Sequence, residues 1–168
     1  MTDLSSSVVV GLGCAVLSPF GSRVHAPWAM AVAERFSRER GLDVEVMWLD
    51  DGFVVRFPDT DDPPDPRLMV PAAEEVEALV LNQLGGTAMF AAKFREAAGR
   101  ALLLPKRRAG GRTPLWQLRK RAADLLAVAS RFGSFPIVLE TYRECLRDVF
   151  DMPALAETLG RIEHREIR

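Results

Sequence analysis

Arg100, Lys106, Arg107, Arg108, Arg112, Arg119, Lys120 and Arg121 follow one another between Glu96 and Asp124 with no carboxylate among them. Guanidinium and ammonium groups gathered in this way are chemistry for anions, and phosphates in particular. Arginine offers a planar fork of donors and lysine a compact point charge. Trp116 lies inside this run, and Trp28 lies beside Arg23 and His25. An indole next to cations can stack on an unpaired base, worth about 1–3 kcal/mol per base. Either indole can equally pack into a core, as Trp48 is expected to do from its place in a strand. The segment 43–77 is the counterpart, rich in carboxylates with Arg56 and Arg67 as its cations. A net charge of -1 and a pI of about 6.2 conceal this segregation. A face this basic, inside a chain this neutral, is a local surface and not a global field.

Other chemistries find little support. Gly11-Leu12-Gly13 opens like a dinucleotide-binding loop, but Val16 stands where the third glycine belongs and no helix signal follows. Gly110-Gly111-Arg112-Thr113 has neither the lysine nor the spacing of a phosphate-binding loop for ATP. His25 and His164 are the two histidines, and neither forms a Ser-His-Asp or Cys-His spacing. His25 reads as a hydrogen-bonded residue at a helix entry. Asp50, Asp51, Asp59, Asp61, Asp62 and Asp65 lack the EF-hand pattern, and prolines interrupt them, so they read as a solvated loop rather than a cation site. No catalytic residue and no metal ligand is assigned.

The chain has 168 residues, 48% of them hydrophobic and 27% charged, which suits one globular domain with a real core. Cys14 and Cys145 are far apart and read as buried small hydrophobes in a reducing compartment. Val8–Leu17 is apolar like a signal-peptide core, yet no basic residue precedes it. No apolar run reaches the roughly 20 residues of a membrane span. The expectation is a soluble cytoplasmic protein.

These residues need elements to hold them. Val8–Val10 and Cys14–Leu17 read as strand, Ser18-Pro19-Phe20-Gly21 as a turn. From about Pro27, Trp28, Ala31, Val32, Arg35 and Phe36 share one helical face, with Gly41 as the C-cap. Val44–Trp48 and Phe53–Phe57 flank Asp50-Asp51-Gly52, a hairpin signal in which glycine supplies the backbone freedom the turn requires. The proline-rich Thr60–Pro66 is a loop. Periodicity then changes from 2 to 3.6. Helices are predicted over Ala72–Leu84 (Val76, Leu79, Val80 and Leu84 inward) and Ala88–Leu104 (Phe90, Phe94, Ala97, Ala98 and Ala101 inward). A third begins after a Thr113 cap with Pro114 first, its apolar stripe running through Leu115, Leu118, Ala122, Leu125, Leu126 and Ala129. Two more follow, over about Ile137–Phe150 and Pro153–Arg161. The pattern is one α+β domain: a β-rich part with one helix over 1–60, a loop over 61–71, and a helical part over 72–168 packed with it.

At SPFGSRVHAPWAMAVAERF, DDGFVVRFP, FAAKFREAAGRALLLPKRR, TPLWQLRKRAADLL and FPIVLETYRECLRDVFDMPAL the chain resembles the DEAD/H-associated region of large helicase-related (Lhr) proteins, superfamily 2 ATP-dependent helicases. The resemblance covers about residues 15–160. It implies a module that follows two RecA-like motor domains and a winged helix, contributes to a β-barrel-containing part, and contacts the tracking strand. The family moves 3′ to 5′ on single-stranded DNA, unwinds duplexes and serves DNA repair. ATP and magnesium would be held by motor domains whose motifs this chain lacks, so it binds no cofactor itself and hydrolyses nothing alone. The family stacks a tryptophan of this module on a base. Trp28 is taken as the matching position, with Trp116 as its rival.

The reading is therefore a nucleic-acid-contacting accessory domain of an Lhr-type helicase. Arg23, Arg107, Arg108, Arg112, Arg119 and Arg121 neutralise phosphates of single-stranded DNA, or of an RNA–DNA hybrid, and Trp28 or Trp116 stacks on a base. The alternative is a docking domain whose basic face binds an acidic partner or the chain's own acidic segment. An independent hydrolase has no nucleophile–base pair to support it.

Overall fold

A computed structural model describes residues 13–58, 65–104, 107–108 and 111–167. The expected strand at Val8–Val10 and most of the loop over Thr60–Pro66 lie outside them. The fold class is α+β as expected, with a small open antiparallel sheet and a helical majority. The chain separates into two compact units, residues 1–83 with 149–168, and residues 84–148.

In the first unit, β1 (Gly13–Leu17), β3 (Gly52–Arg56) and β2 (Glu45–Leu49) form an antiparallel sheet in the order β1-β3-β2. The hairpin is the one its sequence predicts. Strand alternation sends Val16, Phe53, Val55 and Trp48 to one face, where α1 (Ser22–Arg40) covers β3 and β2. Phe53 and Val55 are fully buried there. Trp48 was expected in the core but is 37% exposed, because β2 is an edge strand and covers less of its own side chains. The opposite face carries Leu17, Met47, Leu49 and Val54, all exposed.

Helix α1 begins at Ser22, five residues before the predicted start, and takes Pro27 into its interior. Proline has no N–H, so the carbonyl of Arg23 loses its donor four residues on. The N–H of Asp151 fills the vacancy at 3.0 Å. A tertiary bond therefore makes the interior proline tolerable, and no local pattern announces such a bond. Gly41 caps the far end in the left-handed region (φ 63°), as expected.

A short 3-10 helix, Pro66–Met69, is capped by Asp65, whose carboxylate accepts from Arg67 N–H at 2.9 Å. Arg35 donates through Nη1 to the carbonyl of Val70 at 2.9 Å, tying this turn to α1. Helix α2 spans Val76–Leu84, four residues shorter than predicted, because Ala72 and Glu75 close a turn on each other (Ala72 N–H to Glu75 Oε1, 3.1 Å). Helix α6, Met152–Glu163, is capped by Asp151 and packs on α1.

In the second unit α3 (Ala88–Arg100) is capped by Thr87, whose hydroxyl accepts from Phe90 N–H at 3.1 Å. Phe90, Phe94, Ala97 and Ala98 are buried as predicted, whereas Ala101 lies past the last turn and is exposed. Helix α3 packs against both α4 (Leu115–Ala129) and α5 (Pro136–Glu144), with the Phe90 and Tyr142 rings 4.4 Å apart. Beyond α5 the chain loosens into a π-type turn at Cys145–Val149 instead of continuing as α-helix. Arg107–Arg108 (β4) and Gly111–Arg112 (β5) pair as a minimal antiparallel hairpin between α3 and α4, where only a basic loop was expected.

Candidate nucleic-acid interface

The helical unit gathers its chemistry around the entry to α4. The β4–β5 hairpin sets Arg107 opposite Arg112 and Arg108 opposite Gly111, and the chain passes from Arg112 through Thr113 and Pro114 directly into the helix. Pro114 is the N-cap residue. Thr113, expected to cap, is instead buried one position earlier. Trp116 stands at the second helical position and is 65% exposed. One turn on, at three and four residues' spacing, come the exposed Arg119 and Lys120. Arg121 follows, half-buried. Leu115 was assigned to the buried stripe but is exposed, while Ala122 and Ala129 do face inward. The apolar stripe of α4 is thus narrower than its sequence suggested, which leaves more of the first turn open.

The cations of this unit divide into two groups. Arg100 donates to Glu144 at 2.7 Å, and Lys93 lies 3.5 Å from the same carboxylate. The Arg100 hydrogen bond, aided by the charges of both cations, holds the Glu144 carboxyl below its ordinary range. Those two side chains serve the α3–α5 contact. Arg119, Lys120 and Arg121 form no ion pair with any carboxylate among the described residues. Lys120 was named in the acid-free run but not among the residues expected to contact phosphates, although its spacing from Trp116 places it on the same face.

Two expected site residues belong to the other unit. Arg23 is exposed at the start of α1, with its Nε 3.4 Å from the Val149 carbonyl. Trp28, expected to stack on a base, is a core residue. It is 1% exposed, its indole N–H donates to the Met69 carbonyl at 2.8 Å, and its ring lies 5.4 Å from that of Phe53. A base has no open indole face to meet here. His25 is fully buried, bound through Nε2 to the Ser18 hydroxyl at 2.5 Å and through Nδ1 to the Leu49 carbonyl at 2.8 Å. That is the structural role read from its place at the helix entry.

The acidic candidates are partly occupied too. Hydrogen bonds from the Ser22 side chain and then from the Ser22 N–H (3.1 Å) hold the Asp50 carboxyl below the ordinary value, and Asp65 caps the 3-10 helix. Asp59, Asp61 and Asp62 lie outside the described residues. Among those described, no group of His, Cys, Asp and Glu is placed to hold a metal ion. Cys14 and Cys145 are free thiols. Burial, with Glu144 beside it, pushes Cys145 up to about 11, so it is an inert core group rather than a nucleophile. No helix among the described residues is long and apolar enough to cross a membrane.

Fold and site together define an α+β module that presents, at the entry of one helix, an exposed indole beside cations that no carboxylate among the described residues engages. Residues 10–168 match the family described as DEAD/H associated, and the chain belongs to that family. It is 51% identical over 152 residues to the Lhr helicase/probable uracil glycosylase of Mycolicibacterium smegmatis, and 49% identical over 152 residues to the Lhr helicase/uracil glycosylase of Escherichia coli. Each match covers 90% of this chain and 10% of the relative, so the chain spans about a tenth of those proteins' length. Among solved structures, Mycobacterium smegmatis helicase Lhr bound to ssDNA and AMP-PNP superposes with a TM-score of 0.83 at 48% identity, covering 93% of this chain and 20% of that one.

Proposed function

We propose that this chain is a strand-contacting accessory domain of an Lhr-type helicase, with the entry of α4 as its contact surface. The observation that carries the proposal is the exposed Trp116 with Arg119 and Lys120 one turn away, none of the cations engaged within the described residues. Arg107, Arg108 and Arg112 on the adjoining hairpin, with Arg121, add charge for the phosphates, while Trp116 stacks on a base. Arg23, in the first unit, is a phosphate contact of that unit by itself. Such contacts give affinity without sequence preference and weaken steeply with salt. The likeness to a helicase solved with single-stranded DNA supports this reading.

In the whole enzyme, ATP and magnesium belong to RecA-like motor domains, with a winged helix between them and this domain. Those parts translocate 3′ to 5′ and unwind DNA in a repair role. An RNA–DNA hybrid suits the phosphate-contacting cations of the same surface, and Trp116 would then stack on a base of its unpaired single-stranded end.

The test is fluorescence anisotropy of a labelled single-stranded DNA titrated with the chain at several salt concentrations. Binding should fall log-linearly with salt, and Trp116→Ala should weaken it by about 5- to 150-fold, the equivalent of 1–3 kcal/mol of lost stacking. Absence of binding at low salt by a folded chain overturns the proposal. Equal affinity of Trp116→Ala removes Trp116 from the surface.

A further inference from the structure

Leu102 is the residue whose conformation and surroundings disagree most. It terminates α3 in the left-handed region, with φ 60°, and its side chain is 82% exposed. The hydrogen bonds identify the position. Leu103 N–H reaches back to the Ala98 carbonyl at 2.9 Å, and Leu102 N–H to that of Gly99 at 3.3 Å. This pair of bonds ends a helix with a residue that glycine normally supplies, because a Cβ is penalised there. The same chain meets that demand with Gly41 at the end of α1. Arg165 stands in the same conformation after α6, but its charged stem is at home in water. A leucine in that conformation bears the strain and, at such exposure, recovers almost no burial within the chain. What it gains has to come from outside.

Its position says what that is. Leu102 precedes β4 by five residues, Trp116 follows β5 by four, and β4 pairs with β5. The two apolar side chains therefore stand on the two strands of chain that flank one basic hairpin, and α3 packs against α4. An exposed aliphatic residue beside a phosphate-binding surface can enter a base step and unstack it. We infer that Leu102 is a wedge that opens a base step of the bound strand next to the base held by Trp116. The inference rests on the strand-contact reading above.

The experiment uses a short single-stranded DNA with two adjacent 2-aminopurines, whose fluorescence rises when their mutual stacking is broken. Binding of the chain should brighten the pair. Leu102→Gly relieves the left-handed strain while deleting the side chain. It should raise the urea midpoint, abolish most of the brightening and weaken binding by about three- to tenfold. Leu102→Asn, which also tolerates that backbone, should reproduce the loss. Full brightening and unchanged affinity in Leu102→Gly overturn the wedge and leave the strand contact standing. A lowered midpoint in Leu102→Gly overturns it as well, since it would show the side chain to be packed within the chain. Failure of the unaltered chain to bind at low salt overturns both.

Discussion

Replacing Gly52 with alanine isolates one geometric demand of the sheet. Gly52 begins β3 with φ 153°, outside the ordinary extended range of L-residues, and pairs with Leu17 of β1 on one side and Leu49 of β2 on the other. A Cβ there would run into the backbone oxygen of Val16 and approach the Val16 carbonyl carbon and the Leu17 Cα at 3.1 Å. All three are backbone atoms inside a paired ladder, so none can swing away as a flexible side chain would. Backbone strain at such a residue costs about 1–3 kcal/mol and overpacking about another 1–3 kcal/mol. Because relaxing one relieves part of the other, the two do not add in full, and the expected destabilisation is about 2–5 kcal/mol, a large share of the total stability of a domain. In urea, with a slope of about 2 kcal/mol per molar, the midpoint should drop by roughly 1–2.5 M. Gly160→Ala is the internal control. That glycine lies inside α6, and nothing stands within 4 Å of its would-be Cβ, so alanine should stabilise by about 0.5–1 kcal/mol. Midpoints that move together for the two variants, or a Gly52→Ala midpoint within about 0.2 M of the parent by the same slope, would refute the steric argument.

Two further outcomes follow from the buried and paired groups. Trp28→Phe removes the indole donor, leaves the Met69 carbonyl unpaired in the core and opens a small cavity. It should cost about 2–4 kcal/mol of stability in urea while leaving single-strand affinity of the folded protein unchanged. Glu144 carries a depressed carboxyl, so the stability it contributes is present above the ordinary carboxylate range and is lost as pH falls through its lowered folded value. Glu144→Gln should therefore cost about 1 kcal/mol at pH 7, and the gap from the parent should close in urea melts as pH falls below the ordinary carboxylate range.

What the sequence made legible follows from where the deciding interactions lie. The hairpin around Asp50-Asp51-Gly52, the inward faces of α1 and α3 and the glycine cap of α1 rest on neighbours a few residues away, and their patterns show it. The start of α1 does not. A proline with no local cap before it reads as a first turn, and only the Asp151 N–H, more than a hundred residues on, makes Pro27 an interior residue. The late start of α2 follows from the turn that Ala72 and Glu75 close on each other, which apolar periodicity cannot see. Of the site, composition showed the cations but not their employment. Arg100 and Arg119 stand in one acid-free run, yet Glu144 engages the first, while the second meets no carboxylate among the described residues.

The same distinction separates the two tryptophans proposed to serve a strand. Trp28 and Trp116 look alike in sequence, each an indole near cations and each at a helix entry. Stacking needs an open ring face, and burial decides that, not neighbourhood. Trp28 gives its N–H to Met69 and its ring to Phe53, so its large apolar surface already stabilises the first unit. Exposing it would forfeit roughly the 2–4 kcal/mol that its truncation costs, more than the lower end of what a stacked base returns. Trp116 carries no such debt. It is solvated in the free chain, and a base covering it removes apolar area from water and breaks nothing inside. Burial in the free chain thus favours the helical unit for the stacking proposed above, where Arg119 and Lys120, engaged by no carboxylate among the described residues, also lie.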